Sequence, residues 1–213
     1  MIRVRKSSTA PSSLTTTAAY DGEDVKKQLL EDQYDKCYIC ERSRDTDFEI
    51  EHYKSEKKYP LLRQEWSNLF MGCGYCNRKK SDSFDYILNP INENIEDEIE
   101  QRIDFVNKKA LFLSPNSDDA HKETIELLGR IYNGTKGIRK FKDERFFERA
   151  LSTINRFNRL IREYLRNPND RTEKAVRDEL AVDKELLGFK YWIIRDSPDL
   201  YKVFARDMVW NKA

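Results

Sequence analysis

Between Ile138 and Arg166 the apolar positions recur at helical spacing. Phe141, Phe147, Leu151, Ile154, Leu160, Ile161 and Leu165 form a stripe, and Asn167-Pro168-Asn169 ends it. The same periodicity predicts a helix over Asp21–Asp35, with Val25, Leu29 and Leu30 on one side and Asp21 at its start. A further helix is expected over Ser117–Tyr132, closed by Asn133-Gly134 and Gly137. Another is expected over Arg171–Leu187, stopping at Gly188. The tail, with Tyr191, Trp192, Tyr201 and Trp210, carries enough aromatic surface that it is expected to be buried.

Other stretches alternate with period two. Ile103, Phe105, Ala110 and Phe112 flank Asn107-Lys108 and suggest a hairpin. Phe48 and Ile50 alternate with Glu49 and Glu51, as in a short strand. Leu69–Met71 is suited to a returning strand, and a short helix can begin at Cys76 and run to Ser83. Residues 7–17 are rich in Ser and Thr and bury little, so a loose N-terminal arm over residues 1–20 is expected, with a docking arm as the alternative. Residues 21–90 then form one domain and 91–213 a mainly helical region. The fold class expected is α+β, mostly helical.

Composition narrows the function classes. Of 213 residues, 38% are hydrophobic and 36% charged, with 11 Phe, 11 Tyr and 3 Trp, so a core can form under a heavily charged surface. Net charge is only +1, so any contact with phosphates must come from local basic patches. No apolar run approaches the length of a bilayer span. Met1-Ile2-Arg3-Val4-Arg5-Lys6 is basic but precedes no apolar segment, so a secretory leader is not expected. A cytoplasmic chain is the expectation, and there cysteines suggest metal or catalysis before disulfides.

Cys37-x-x-Cys40 and Cys73-x-x-Cys76 use every cysteine of the chain. Two residues between cysteines let a tight turn present both thiolates to one ion, and two such knuckles complete a tetrahedral zinc site. Residues 41–72 separate the pairs, so the zinc clips a sizeable insert closed. Four ligands close the ion, which makes its task folding. It is expected to contribute on the order of 10 kcal/mol to a segment with few large aliphatic residues.

The insert and the second knuckle contain Glu51-His52, Trp66-x-Asn68-Leu69 and Cys73-x-x-Cys76-Asn77-x-x-Lys80. This order, over residues 37–83, resembles the HNH endonucleases, whose core is a ββα-metal finger, and the flanking zinc knuckles are similar too. The wider layout resembles the HNH nuclease subunit of the Septu anti-phage system, which works beside an ATPase. The features behind that second likeness are the N-terminal arm with Pro11, the Ile87-Leu88-Asn89-Pro90 element and the helical C-terminal half.

The resemblance implies roles. His52 would be the general base that activates water, a task suited to a side chain whose pKa lies near neutrality. Glu51 and the amide oxygen of Asn77 would hold a divalent cation, Mg²⁺ or Mn²⁺, beside the scissile phosphate. Asn68 would pin the loop between the strands and so aim His52. The family's commonest pattern has Asp at the first position and often His at the third, where Glu51 and Asn77 stand. Glu49 lies on the same strand face as Glu51 and could assist or replace it. Lys54, Arg78, Lys79 and Lys80 are the expected nucleic-acid contacts.

Each residue has a plainer role to weigh. Asn77 could be a helix cap, Trp66 suits core packing better than base stacking, and the basic residues could be a solvated face. His121 has nothing ligand-like spaced around it and is expected to be structural. The leading expectation is a metal-dependent endonuclease acting on DNA, with RNA as a second substrate and an ATPase as partner. The alternative is a non-catalytic zinc module that binds nucleic acid or a protein.

Overall fold

The computed structural model describes residues 1–16, 19–43 and 46–211. Residues 17 and 18 of the expected arm, and 212–213 of the helical region, lie outside the described part.

The order begins with α1 (Ser12–Thr16) and α2 (Glu23–Gln33), then β1 (Phe48–His52), β2 (Leu69–Cys73) and α3 (Gly74–Lys80). β1 and β2 are antiparallel, pairing Phe48 with Cys73, Ile50 with Met71 and His52 with Leu69. Alternation gives this ribbon two faces. Phe48, Ile50, Leu69 and Met71 pack with Val25, Leu29 and Trp66 under α1 and α2. The opposite face turns Phe70 toward Tyr38, Tyr53 and the cysteines. The free edge of β2 does not stay open, because the Gln33 side chain bonds both the N–H and the C=O of Met71, each at 2.8 Å.

α4 (Ile95–Glu98) leads into the expected hairpin, β3 (Glu100–Asp104) and β4 (Lys109–Leu113), in which Ile103 faces Ala110. α5 (Asp119–Asn133) is capped by the Asp118 carboxylate, which accepts from the N–H groups of Ala120 and His121. α6 (Phe141–Arg166) is the spine of the molecule. Its first half packs Phe146, Phe147, Ala150 and Ile154 into a core shared with the cysteines, β4 and α5. Its second half places Phe157 and Ile161 in another core, with α7 (Asp170–Glu179), α8 (Leu187–Arg195) and α9 (Pro198–Phe204). Among the described residues no helix is long and apolar enough to cross a membrane.

Four expectations need correction. The stripe on α6 is shifted: Phe141 and Leu165 sit in its terminal turns and are 75% and 54% exposed, while Phe146 and Phe157 are buried. The helix expected over Arg171–Leu187 ends at Glu179. There the buried Lys190 ammonium, from α8, donates to the Glu179 carbonyl and to its carboxylate, both at 2.8 Å, and so closes α7. Gly188 lies inside α8 because β3 approaches it: a Cβ there would stand 2.4 Å from the Gln101 amide. Tyr201 is 42% exposed rather than buried.

The N-terminal residues are the fourth. Met1, Ile2 and Val4 are buried, and Val4 N–H donates to Pro90 O at 2.7 Å. Ile2 enters the second core while Met1 and Val4 enter the first, so residues 1–4 tie the two together. The Met1 amine donates to Glu41 and Gln101.

Candidate metal centre and active site

Cys37 and Cys40 come from the turn after α2, and Cys73 and Cys76 from the β2–α3 junction. All four are buried and unpaired, and their Sγ atoms lie within 4.8 Å of one another. The Cys40–Cys73 separation is 4.0 Å, against about 3.8 Å for the edge of a zinc tetrathiolate with bonds of about 2.3 Å. Burial pushes the Cys40 and Cys76 thiols up, whereas hydrogen bonds from Cys37, Cys40 and Cys76 pull Cys73 far down. Four buried cysteine sulfurs gathered at this spacing could hold a cation as thiolates, and the donor set fits zinc. Neighbouring elements brace the knuckles. Tyr132 OH of α5 donates to Cys40 O at 3.2 Å, and Gly188 N–H of α8 donates to the Glu41 carboxylate at 3.1 Å.

The odd positions of β1 look toward α3. The Glu49 carboxylate accepts from the Asn77 amide at 2.6 Å near the surface. Glu51 is 4% exposed, bonded to Lys80 Nζ at 2.7 Å and to the Tyr38 hydroxyl. Burial raises its carboxyl, against the pull of Lys80 and of Tyr38. Glu51 therefore has its oxygens committed inside the fold. The Asn77 amide nitrogen faces the Glu49 carboxylate, so the Asn77 amide oxygen and the other Glu49 oxygen are the donors left near the surface.

His52 ends β1 on the even face, away from that pair. Its ring lies edge-on to Tyr20 at 4.9 Å, and Nε2 donates to the Arg63 carbonyl at 3.1 Å. A carbonyl accepts only, so the bond places the proton on Nε2 and leaves the lone pair on Nδ1. Asn68 is buried between the ends of the loop that joins β1 to β2. Its amide oxygen accepts from Lys54 N–H at 2.7 Å, and its amide nitrogen donates to the carbonyls of Lys54 and Leu62, both at 3.1 Å. The structure thus brings Glu49 and Asn77 together, and Asn68 against the backbone beside His52, but does not bring His52 to the Glu49–Asn77 pair.

The basic residues separate. Lys80 is 0% exposed, held by Glu51 and by the His52 carbonyl at 2.9 Å, so it cannot meet a phosphate as expected. Cys76 and Lys80, four residues apart, both lie on the inward side of α3. Lys79 pairs with Asp143 at 2.8 Å. Lys54 reaches the Asp85 carbonyl and stacks 4.5 Å from the Tyr86 ring. Arg78 is exposed and has no ion pair among the described residues.

Two groups carry little signal in the sequence. Asp85 is buried and anchors the loop after β1 through Ser55 N–H at 2.7 Å and Lys58 at 3.0 Å. Burial works to raise its carboxyl, and these bonds outweigh it. Tyr38, inside the first knuckle, has no polar pattern in its flanks, yet it is the partner of Glu51.

Comparison with known proteins agrees with this anatomy. A family model described as HNH endonuclease matches residues 37–83, the span from the first of the four cysteines to the turn after α3. The chain is also 36% identical, over 72 residues, to the Septu protein PtuB of Bacillus thuringiensis. That stretch covers 31% of this chain and 28% of that protein, so the match spans under a third of the relative's length. Residues 37–83 are an HNH-type segment clipped by a four-cysteine site, and the likeness to a Septu protein holds over the stretch matched.

Proposed function

We propose that this chain is a metal-dependent HNH endonuclease that hydrolyses phosphodiester bonds in DNA, acting in the cytoplasm as the nuclease of an anti-phage defence complex with an ATPase. One observation carries the reading. Inside an HNH-type segment, His52 is fixed at the end of β1 by the Arg63 carbonyl, with Nδ1 left to accept a proton from water. Asn68 is the positioning residue, since it ties the strand end to the loop that supplies Arg63.

Glu49 and Asn77 would hold the divalent cation, Mg²⁺ or Mn²⁺. Glu51 would join them only by giving up Lys80. A cation bound there would stabilise charge building on the phosphate oxygens. RNA offers the same phosphodiester chemistry. The relative's name places that protein in the Septu system, and an ATPase partner is inferred from that likeness.

The placement of His52 and the Glu49–Asn77 pair on opposite faces of β1 favours the alternative, a non-catalytic zinc module that binds nucleic acid or a protein. A plasmid assay decides. The zinc-loaded chain is incubated with supercoiled plasmid and Mg²⁺ or Mn²⁺, with and without the ATPase. Nicked or linear product is expected, reduced about 10²–10⁴-fold in His52→Ala with unchanged thermal unfolding. Intact plasmid under every condition would assign the chain to the alternative.

A further inference from the structure

Several cations gather where the first zinc knuckle meets α6, away from His52. Arg42 comes two residues after Cys40, is 7% exposed, and lies 4.9 Å from the Phe146 ring. Its Nη1 is buried and has no hydrogen-bond partner among the described residues. A buried charged donor left unpaired is costly, so such a group points to a missing acceptor. The same side chain lines a cavity of about 200 Å³ together with Tyr75, Lys142, Arg145, Phe146 and Arg149.

The cations of α6 are arranged on one side. At 100° per residue, Lys142, Arg145 and Arg149 fall within about 60° of arc. All three are exposed and make no ion pair among the described residues, Arg145 lying 5.7 Å from the Phe141 ring. Of the acids on this part of α6, Asp143 is engaged by Lys79 at 2.8 Å and Glu144 by Arg139 at 2.7 Å, while Glu148 is exposed and lies about 60° round the helix from Arg145. A larger adjoining cavity shares Tyr75 and Lys142 and adds Arg78, so the positive seam continues to α3, one residue from Asn77. Tyr75 and Phe146 are engaged, stacked on each other at 4.4 Å with Lys79 over Tyr75 and Arg42 over Phe146, and the exposed ring of this lining is Phe141 in the adjoining cavity. The lining is dominated by cations, and arginine forks suit phosphate oxygens.

We propose that α6 carries the nucleic-acid backbone, with phosphates seated on Arg42, Arg145 and Arg149 and the strand led past Arg78 toward Asn77. The identity of the polyanion rests on the nuclease reading; the site itself does not. It replaces the Arg78–Lys80 patch as the main binding surface, and its contact is independent of base sequence.

Binding is measured apart from cleavage. The zinc-loaded His52→Ala chain is titrated against fluorescent duplex DNA and duplex RNA by anisotropy over a range of salt. The double variant Arg145→Glu/Arg149→Glu is added in the same background. The control, Lys27→Glu/Arg162→Glu, makes the same change of charge elsewhere. The expected result is a loss of about tenfold or more for the first pair, with the slope of log affinity against log salt on DNA shallower by about 1.8, as two lost phosphate contacts require. Arg42→Ala should weaken binding with zinc content unchanged. Equal losses for the two double variants, or an unchanged slope, would overturn the proposal. A wild-type chain that cuts plasmid while these variants bind normally would do so and leave the nuclease reading intact. Inert wild-type protein with the expected binding losses would sink the nuclease reading alone.

Discussion

The cysteine-clipped segment and the C-terminal core differ in how many polar groups they bury. Around the cysteines the buried groups include Glu51, Lys80, Asn68, Asp85 and Ser55, each bonded to a partner. The C-terminal core buries Phe157, Trp192, Phe204 and Trp210 with Val176, Leu180 and Leu187. Its internal ion pair, Lys190–Glu179, serves to end a helix. The second region is held by apolar area, at about 1.5–3 kcal/mol for each large side chain buried. The first also buries apolar side chains, among them Tyr38, Phe70 and Phe84 beside the cysteines, but its loop and site residues are positioned by hydrogen bonds and by the cysteine cluster, which fix distances more sharply than apolar contact does.

Removing the metal gives the largest expected difference between the two. Zinc contributes on the order of 10 kcal/mol to a segment of this kind. With a strong chelator, or in Cys73→Ser, the amides of β1, β2 and α3 should lose hydrogen-exchange protection while those of α7, α8 and α9 keep most of theirs. Simultaneous loss in both regions would show one cooperative unit and end the distinction, with Ile2, Val4 and the Glu41–Gly188 bond as the couplers.

The converse perturbation is smaller. Phe157 is fully buried in the second core. Phe157→Ala should cost about 3–5 kcal/mol by lost transfer energy and cavity formation. It should leave the four thiolates inaccessible to a colorimetric thiol reagent in the folded protein. A variant that becomes thiol-reactive at temperatures where its helical signal persists would show that the zinc knuckles lean on the C-terminal core.

The two regions also differ in how far the sequence announces them. Cysteine spacing is a local, chemical signal, and the hairpin of β1 and β2 can be read from it and from the alternation at Phe48–Glu51. Helical periodicity locates α2, α5 and α6 because each shows an apolar side over several turns. Local patterns cannot say which lysine of Arg78–Lys79–Lys80 points inward, since that depends on where α3 lands against β1. Nor can they reveal that Glu51 is spoken for by Tyr38 and Lys80. The break after Glu179 is hidden because Lys190, the group that closes the helix, lies eleven residues on. The packed start is legible in principle: Ile2-Arg3-Val4-Arg5 alternates, and the inward pair is buried. Asn68 and Asn77 stand at motif positions, but their partners depend on the folded loop.

The smallest effect lies at the seam between the regions. His121, at the start of α5, has Nδ1 2.7 Å from Asp118 and Nε2 3.3 Å from Glu98, with the Asn116 amide 3.2 Å from the same Nε2. Glu98 ends α4, which packs on α8. Burial works to lower the imidazole's pKa, but the bonds to Asp118 and Glu98 outweigh it and the net shift is upward from 6.5. A raised histidine contributes stability that is full below its unfolded value and is lost as pH rises through its folded value. Wild type should therefore exceed His121→Gln in denaturant midpoint by the most below pH 6.5, and the gap should close at higher pH. Added salt should shrink the gap further, because the Asp118 carboxylate is 60% and the Glu98 carboxylate 37% exposed to solvent. Zinc affinity also changes over this range, yet it does so in both proteins and cancels in their difference. A gap that is constant with pH would mean that His121 serves by packing and neutral hydrogen bonds, and that the seam, like the C-terminal core, is held by apolar contact.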